Sequence, residues 1–566
     1  MKTRWPRRRM AAILLLALAP AAAAAELLNL PPAAEWLPKD ALLVLEIDRP
    51  ADILQLASDL NLFEVLAASP EINNAARMFE PLGGKALLEN LTAGGVAFAV
   101  YSGDKTILLA DAGSAASLQA VQKLAQTIAF LQKNAPKTAG KAFYREHSGG
   151  ASWTFDGKQF FATLGNRLAV SNHPEVVKAL FQPRPADFVP LASWPLYAEA
   201  RQPVQGAAAR LFLNMAVLNQ QPAFHKALGG DGSAIDLLLF GGLRDALKTA
   251  RWASAGLGVQ PRGLQVRAFT DGRPSAAMAF SSPSTPGQGL PPRLQVPGQL
   301  LSATLWRDLA LFFSARDEIF PERSSGGILF ENFMEIFFSG RDLKNEVFAR
   351  FHPAVRLVAA AQRYDPAQGI PEEQYPAAGL VFRVEEAEEF GEIFEEAWQK
   401  AIGITNFTRG QQALPGLILD KATHAGVTYT YGYFSARGEK DRSRLPARFN
   451  LRPALVRTGK YFILTTTDQL ACDLIDALRR EDGRMAPDAS GAHTVVEAGS
   501  GADIAAVLEA NRASMIRQSV LGGGKKPEQA TFEFDRNLAL LRRIQGAKLS
   551  FRSTGGPQAE LELRFK

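Results

Sequence analysis

The side chains able to do chemistry are few and scattered. Six histidines occur, His147, His173, His225, His352, His424 and His493, and no two stand close enough in sequence to form a local pair. Neither an H-E-x-x-H run nor a cysteine cluster is present, so no metal site is expected. The single cysteine, Cys472, sits in the amphipathic run LACDLIDAL and reads as a small buried hydrophobe, not as a reactive thiol. A G-x-S-x-G elbow is missing; Gly499-Ser500-Gly501 lacks its spacing, and Ser500 reads as the turn before a helix at 502–510. The sequence GGGKK at 522–526 has neither the upstream glycine nor the trailing Ser or Thr of a phosphate loop. No catalytic residue and no cofactor are expected on these grounds, which leans the reading away from an enzyme. A triad gathered from distant positions stays open, because triads are defined by geometry.

Three stretches stand out as surfaces. Seven glutamates lie between Glu385 and Glu396, interleaved with the stripe Phe390, Ile393, Phe394 and Trp398, as in a helix with one buried face. Residues 436–448 (ARGEKDRSRLPAR) form a basic loop, expected to be solvated. The third is Phe-rich and runs from Leu309 to Phe338. Its last part, ILFENFMEIFF, has too few polar positions for one narrow core stripe. Phe330, Phe333, Met334, Phe337 and Phe338 are therefore the candidate surface for an apolar ligand or a partner, against the plainer expectation of a helix buried on two sides.

Charge and hydropathy set the compartment. Of the 63 basic residues, Lys2, Arg4, Arg7, Arg8 and Arg9 precede residue 26, where no acid lies, leaving 58 basic against 57 acidic residues. A nearly neutral remainder gives no general attraction to nucleic acid. The basic start, the apolar run Met10–Ala19 and the small residues Ala21–Ala25 have the three-part design of a secretory signal, with cleavage expected after Ala25. No later segment has 18 consecutive apolar residues, so no transmembrane segment is expected in a periplasmic or secreted mature chain. A lone cysteine cannot form an intramolecular disulfide, so stability must come from the core.

The elements that would position any site recur in order. The segment 281–292 (SSPSTPGQGLPP) reads as a linker between module one, 26–280, and module two, 293–566, after the signal at 1–25. Strand-like 41–47 corresponds to 300–305, 96–101 to 355–360, and 106–111 to 379–384. FFATLGNRLAVSNHPEVVKAL at 160–180 corresponds to ALVRTGKYFILTTTDQLACDL at 454–474, each a hairpin on Gly165-Asn166 or Gly459-Lys460 followed by a capped helix. LYAEA at 196–200 is matched with TVVEA at 494–498, and hairpins at 255–269 and 547–565 close the modules. This order predicts an α+β fold: two tandem, diverged copies of a mainly antiparallel sheet with helices packed on one face.

LPKDALLVLEID at 37–48 and GKYFILTTTDQL at 459–470 resemble a widespread bacterial exported family whose domain has no known function. The resemblance implies secretion and repeated α+β units, and it brings no catalytic residues. The expected function is an exported, non-enzymatic binding or assembly scaffold of the cell envelope, its partner an envelope protein. The alternative is a carrier of lipids or other apolar ligands, and the third reading is a hydrolase with an unfamiliar site.

Overall fold

The computed structural model describes residues 30–60, 84–133, 141–184, 186–229, 234–284, 288–319, 332, 334–366, 369–437, 439, 441, 444–481, 491–553 and 558–566. The signal-like residues 1–25 lie outside them. The chain divides into two compact units: Met1–Leu228 with Ala250–Gly272, and Gly229–Thr249 with Arg273–Lys566. The segment read as a linker thus falls in the second unit, where Ser281 and Leu290 are buried.

In the first unit the strands are β1 (Leu43–Ile47), β2 (Gly95–Val100), β3 (Thr106–Asp111), β4 (Phe143–His147), β5 (Gly150–Thr154), β6 (Phe160–Leu164), β7 (Arg167–Ser171), β8 (Ala209–Leu213), β9 (Ala253–Gln260) and β10 (Gly263–Thr270). They pair antiparallel in the order β4-β5-β6-β7-β3-β2-β1-β8-β9-β10. The second unit contains β11 (Gln299–Trp306), β12 (Phe351–Ala360), β13 (Ala377–Val384), β14 (Ile418–His424), β15 (Val427–Tyr433), β16 (Ala454–Thr458), β17 (Tyr461–Thr465), β18 (Ala492–Ala498), β19 (Ile544–Arg552) and β20 (Gln558–Phe565). Its order is β14-β15-β16-β17-β13-β12-β11-β18-β19-β20, again antiparallel throughout. Strand for strand, the two orders are the same.

The α+β class and the antiparallel sheets are as expected, but the helices cover both faces of each sheet. In the first unit, Leu168 and Val170 on β7 face the core beneath the helix Ala115–Lys133, whereas Ala169 between them faces the core holding Tyr197 and Phe212. In the second, Ile463 on β17 packs with the helix Asp468–Glu481, and its neighbour Phe462 packs with the helix Ala387–Gln411. Strands buried on both sides lose alternation and become continuous apolar runs, which is why FFATL and YFILT carry no polar face.

Two matched turns show local chemistry at work. Gly165 (φ 57°) and Gly459 (φ 54°) occupy the left-handed region at the β6–β7 and β16–β17 hairpins, where a side chain would be strained. The following helix is capped as expected in the second unit, where Thr467 Oγ1 accepts from Leu470 N at 3.3 Å. In the first unit, Asn172 instead accepts from Thr106 N at 2.8 Å and caps nothing. LYAEA also departs from its expected pairing. Pro195–Arg201 is a helix, started by Pro at its first position, and β8 is the strand that occupies the place of β18.

Candidate functional site

Buried charge is the first place to look for chemistry, and here it is spent internally. In the first unit Glu46 on β1 accepts from Tyr197 Oη at 2.6 Å and from Arg210 Nη2 at 3.2 Å, while Arg210 also donates to Asp48 at 2.9 Å. The void beside them, about 10 Å³, holds roughly one water. Burial and the Glu46 charge push the Tyr197 phenol far up, so it stays neutral. Arg167 on β7 is buried and grips Asp111 with two bonds of 2.6 and 2.8 Å, its guanidinium 5.5 Å from the Trp36 ring. These groups fix strands to one another.

In the second unit Arg307 is buried with no carboxylate beside it among the described residues. Its guanidinium donates to the carbonyls of Leu238, Leu239, Ser281 and Trp306 and to Thr494 Oγ1, at 3.2 Å for Leu239 and Ser281 and 3.0 Å for Thr494. Burial lowers its pKa to about 10, still well above neutrality. The residue thereby ties β11 to the helix Ala234–Thr249 and to the turn Ala276–Ser281. Close by, burial first and the Arg307 charge second hold His493 down at about 4. All five N–H groups of Arg307 are engaged, so it is a clamp and not a ligand site.

An open cleft of about 270 Å³ lies in the second unit, between the β12–β13 connection and the helix Gly501–Ala510. Tyr364, Tyr375 and Gln362 face Asp503, Val507 and Ala510 across it. Its wall is held from behind by Asn450, which is 1% exposed. Asn450 Oδ1 accepts from Tyr364 Oη (2.6 Å) and Tyr375 N (3.0 Å), and its Nδ2 donates to Glu373 O (2.7 Å) and Ala447 O (2.9 Å). Gln362 Nε2 donates to Tyr375 O and Asn450 O, and Asn511 bonds both N and O of Gln374 at 2.8 Å. Burial pushes the Tyr364 phenol up to about 12, so it too is neutral. Sequence reasoning missed this cleft; its only signal is a pair of tyrosines in a connection rich in Pro and Gln.

Of the Phe-rich candidates, Phe330 and Phe333 lie outside the described residues. Met334 and Phe337 are half-buried against the core that contains Phe390, Phe394 and Phe462. Phe338 is buried and stacks on Phe394 with ring centroids 6.4 Å apart. Phe390 and Phe394 of the acid-rich helix thus point inward, as its spacing predicts. Cys472 is half-buried and donates to Tyr429 Oη at 3.5 Å, and burial raises its thiol pKa. Ser500 caps the helix behind it through Ala502 N at 3.2 Å. Gly524, with φ 63°, terminates the helix Arg512–Gly523, which gives GGGKK a structural reason. Among the described residues no group of His, Cys, Asp and Glu is arranged to hold a metal ion, and no helix is long and apolar enough to cross a membrane.

Some of the exposed apolar side chains recur at corresponding places in the two units. β4 and β14 end their sheets in the orders above, pairing only with β5 and β15 among the described residues. Phe143 begins β4 at 43% exposure; Ile418 and Leu419 begin β14 at 44% and 41%. In the first unit the helix after the third strand, Ala115–Lys133, packs beside β4 and exposes Phe130; in the second the corresponding helix, Ala387–Gln411, exposes Phe407. In the second unit Asn406 pins that helix end to Leu417 through bonds of 2.9 and 2.7 Å.

No family model matches the chain, and no curated protein matches it. Among solved structures, it is similar to crystal forms IV and III of TP0453, at 9% and 8% identity. The matches cover 42% and 44% of this chain and 79% and 82% of the other, with a TM-score of 0.24 in both. At that score the likeness carries no argument.

Proposed function

We propose that this chain is an exported, tandemly duplicated, non-enzymatic scaffold of the cell envelope, related to the exported family of unknown function that it resembles. Its leader is removed after Ala25, and the mature protein binds extended segments of envelope proteins along β4 and β14. The supporting observation is the repeated sheet edge, unpaired on its outer side among the described residues and flanked by exposed aromatic and aliphatic side chains. An extended peptide laid on such an edge gains main-chain hydrogen bonds, with affinity tuned by the flanking apolar groups. The identical strand order of the two units supports the duplication.

A second copy of the chain is a poor occupant. Fully overlapped antiparallel pairing about a two-fold axis sets each strand's middle residue against itself. That residue is Arg145 on β4 and Lys421 on β14, so like charges would stand directly opposite. The carrier reading has less support: Phe338 and its neighbours fill a core instead of lining a void.

The test combines N-terminal sequencing of the exported protein with affinity capture from envelope extracts, using wild type and a Phe143→Lys/Leu419→Lys variant. The reading expects a mature N-terminus at Glu26 and a partner lost in the variant. A partner retained equally by the variant, or none recovered, would overturn the edge-binding role.

A further inference from the structure

The cleft of the second unit carries an inference independent of the sheet edges. Its tyrosines are fixed before any ligand arrives. The buried Asn450 holds the Tyr364 hydroxyl and the Tyr375 backbone, Gln362 holds the Tyr375 carbonyl, and Asn511 clamps the Gln374 backbone on both sides. So much hydrogen bonding behind an open wall preorganises it, which lowers the ordering cost of binding. Tyr375 nevertheless keeps 45% of its surface exposed.

The hydrogen-bond inventory defines what can sit there. Both N–H groups of Gln362 Nε2 are spent, on Tyr375 O at 2.9 Å and Asn450 O at 3.0 Å. The two phenolic hydrogens are spent as well, Tyr364 on Asn450 at 2.6 Å and Tyr375 on Glu373 at 2.7 Å. Among the side chains that line the cleft, Gln362 Oε1, the Asp503 carboxylate and the phenolic oxygens are acceptors, and the Gln374 carboxamide brings donors as well. Among the described residues no lysine or arginine lines it, which disfavours phosphates and carboxylates. The opposite wall, Ala506, Val507 and Ala510, is small and apolar. A ligand must therefore bring its own donors, carry no negative charge and offer apolar surface to a lining of two tyrosines, Ala506, Val507 and Ala510. A pyranose does all three, with equatorial hydroxyls at its rim and C–H groups on its faces. A proline-rich segment suits aromatic grooves but presents carbonyl acceptors, the group this wall is least able to satisfy. The geometry points to a binding site for a neutral saccharide in this cleft.

Saturation-transfer NMR on the full chain tests this, with cellohexaose, maltoheptaose and tetra-N-acetylchitotetraose as probes and decaproline as the peptide control. At least one saccharide should show transfer to its ring protons, with affinity about tenfold weaker in Tyr375→Ala, the loss of one stacking partner. Asp503→Asn, on an exposed helical position, should also weaken it while leaving the protein's own NMR spectrum folded. Transfer to decaproline alone would overturn the proposal, as would silence from all three saccharides with a folded protein. Saccharide binding unchanged in Tyr375→Ala would also overturn it. None of these outcomes bears on the partner-binding edges, whose variant carries Lys at 143 and 419.

Discussion

The half-buried His493 beside the buried Arg307 makes stability depend on pH in a window set by the structure. His493 titrates at about 4 in the folded chain against 6.5 for an unperturbed imidazole, because burial and then the Arg307 charge oppose its protonation. Between those values the unfolded chain binds a proton that the folded chain refuses. Stability therefore rises with pH across the window and is lost as pH falls from 6.5 towards 4. At about 1.36 kcal/mol per unit, the whole effect is about 3 kcal/mol, of which about 2 kcal/mol falls between pH 7 and pH 5. Carboxylates also titrate towards the acid end, so the decisive quantity is the difference between wild type and His493→Gln. Urea denaturation at pH 7, 6 and 5, followed by hydrogen exchange in β18, measures it. The variant should lose stability less steeply than wild type by about 2 kcal/mol between pH 7 and 5. Parallel curves for the two proteins would refute the assignment of a desolvated, neutral His493 beside a cationic Arg307.

Other outcomes follow from the same contacts. A chain beginning at residue 293 lacks the Leu238, Leu239 and Ser281 carbonyls, three of the five acceptors of Arg307, and uncovers Phe312, Ala315 and Ile319, which pack on Ala277, Met278 and Phe280. It should be less stable by about 3 kcal/mol or more than the second unit within the full chain, by hydrogen exchange in β11. Asp111→Ala leaves Arg167, 2% exposed, without its carboxylate and should cost about 3–5 kcal/mol in denaturant titration of the first unit. Glycine substitutions should divide by site. At Gly501 an added Cβ would lie 1.9 Å from Leu541 O, so alanine there should cost about 1–3 kcal/mol; at Gly403, open and mid-helix, alanine should gain about 0.5–1 kcal/mol in the same titration.

Much of the fold was legible because strands and turns are local. VAFAVY, TILLAD and the Gly165 and Gly459 hairpins sit where alternation and turn chemistry put them. LYAEA was misread because five apolar and polar residues fit either period, and only Pro195 at the helix start separates them. Both-sided helix cover escaped because FFATL and YFILT look alike whether one face or two is buried. The distribution of the chain between units also escaped, since nothing in Gly229–Thr249 marks it as belonging with residues beyond 273. The cleft was illegible for a deeper reason: Asn450, Gln362 and Asn511 come from three distant segments, and an amide's role depends on which backbone group it meets.

The most direct test of the scaffold account places a photoreactive amino acid at Leu419 on β14, and separately at Phe143 on β4, in cells that export the chain. Illumination should give an adduct with a different envelope protein from each position, and peptide mapping should place the contact in an extended segment of that partner. Adducts only with a second copy of this chain, or none at either strand, would contradict it.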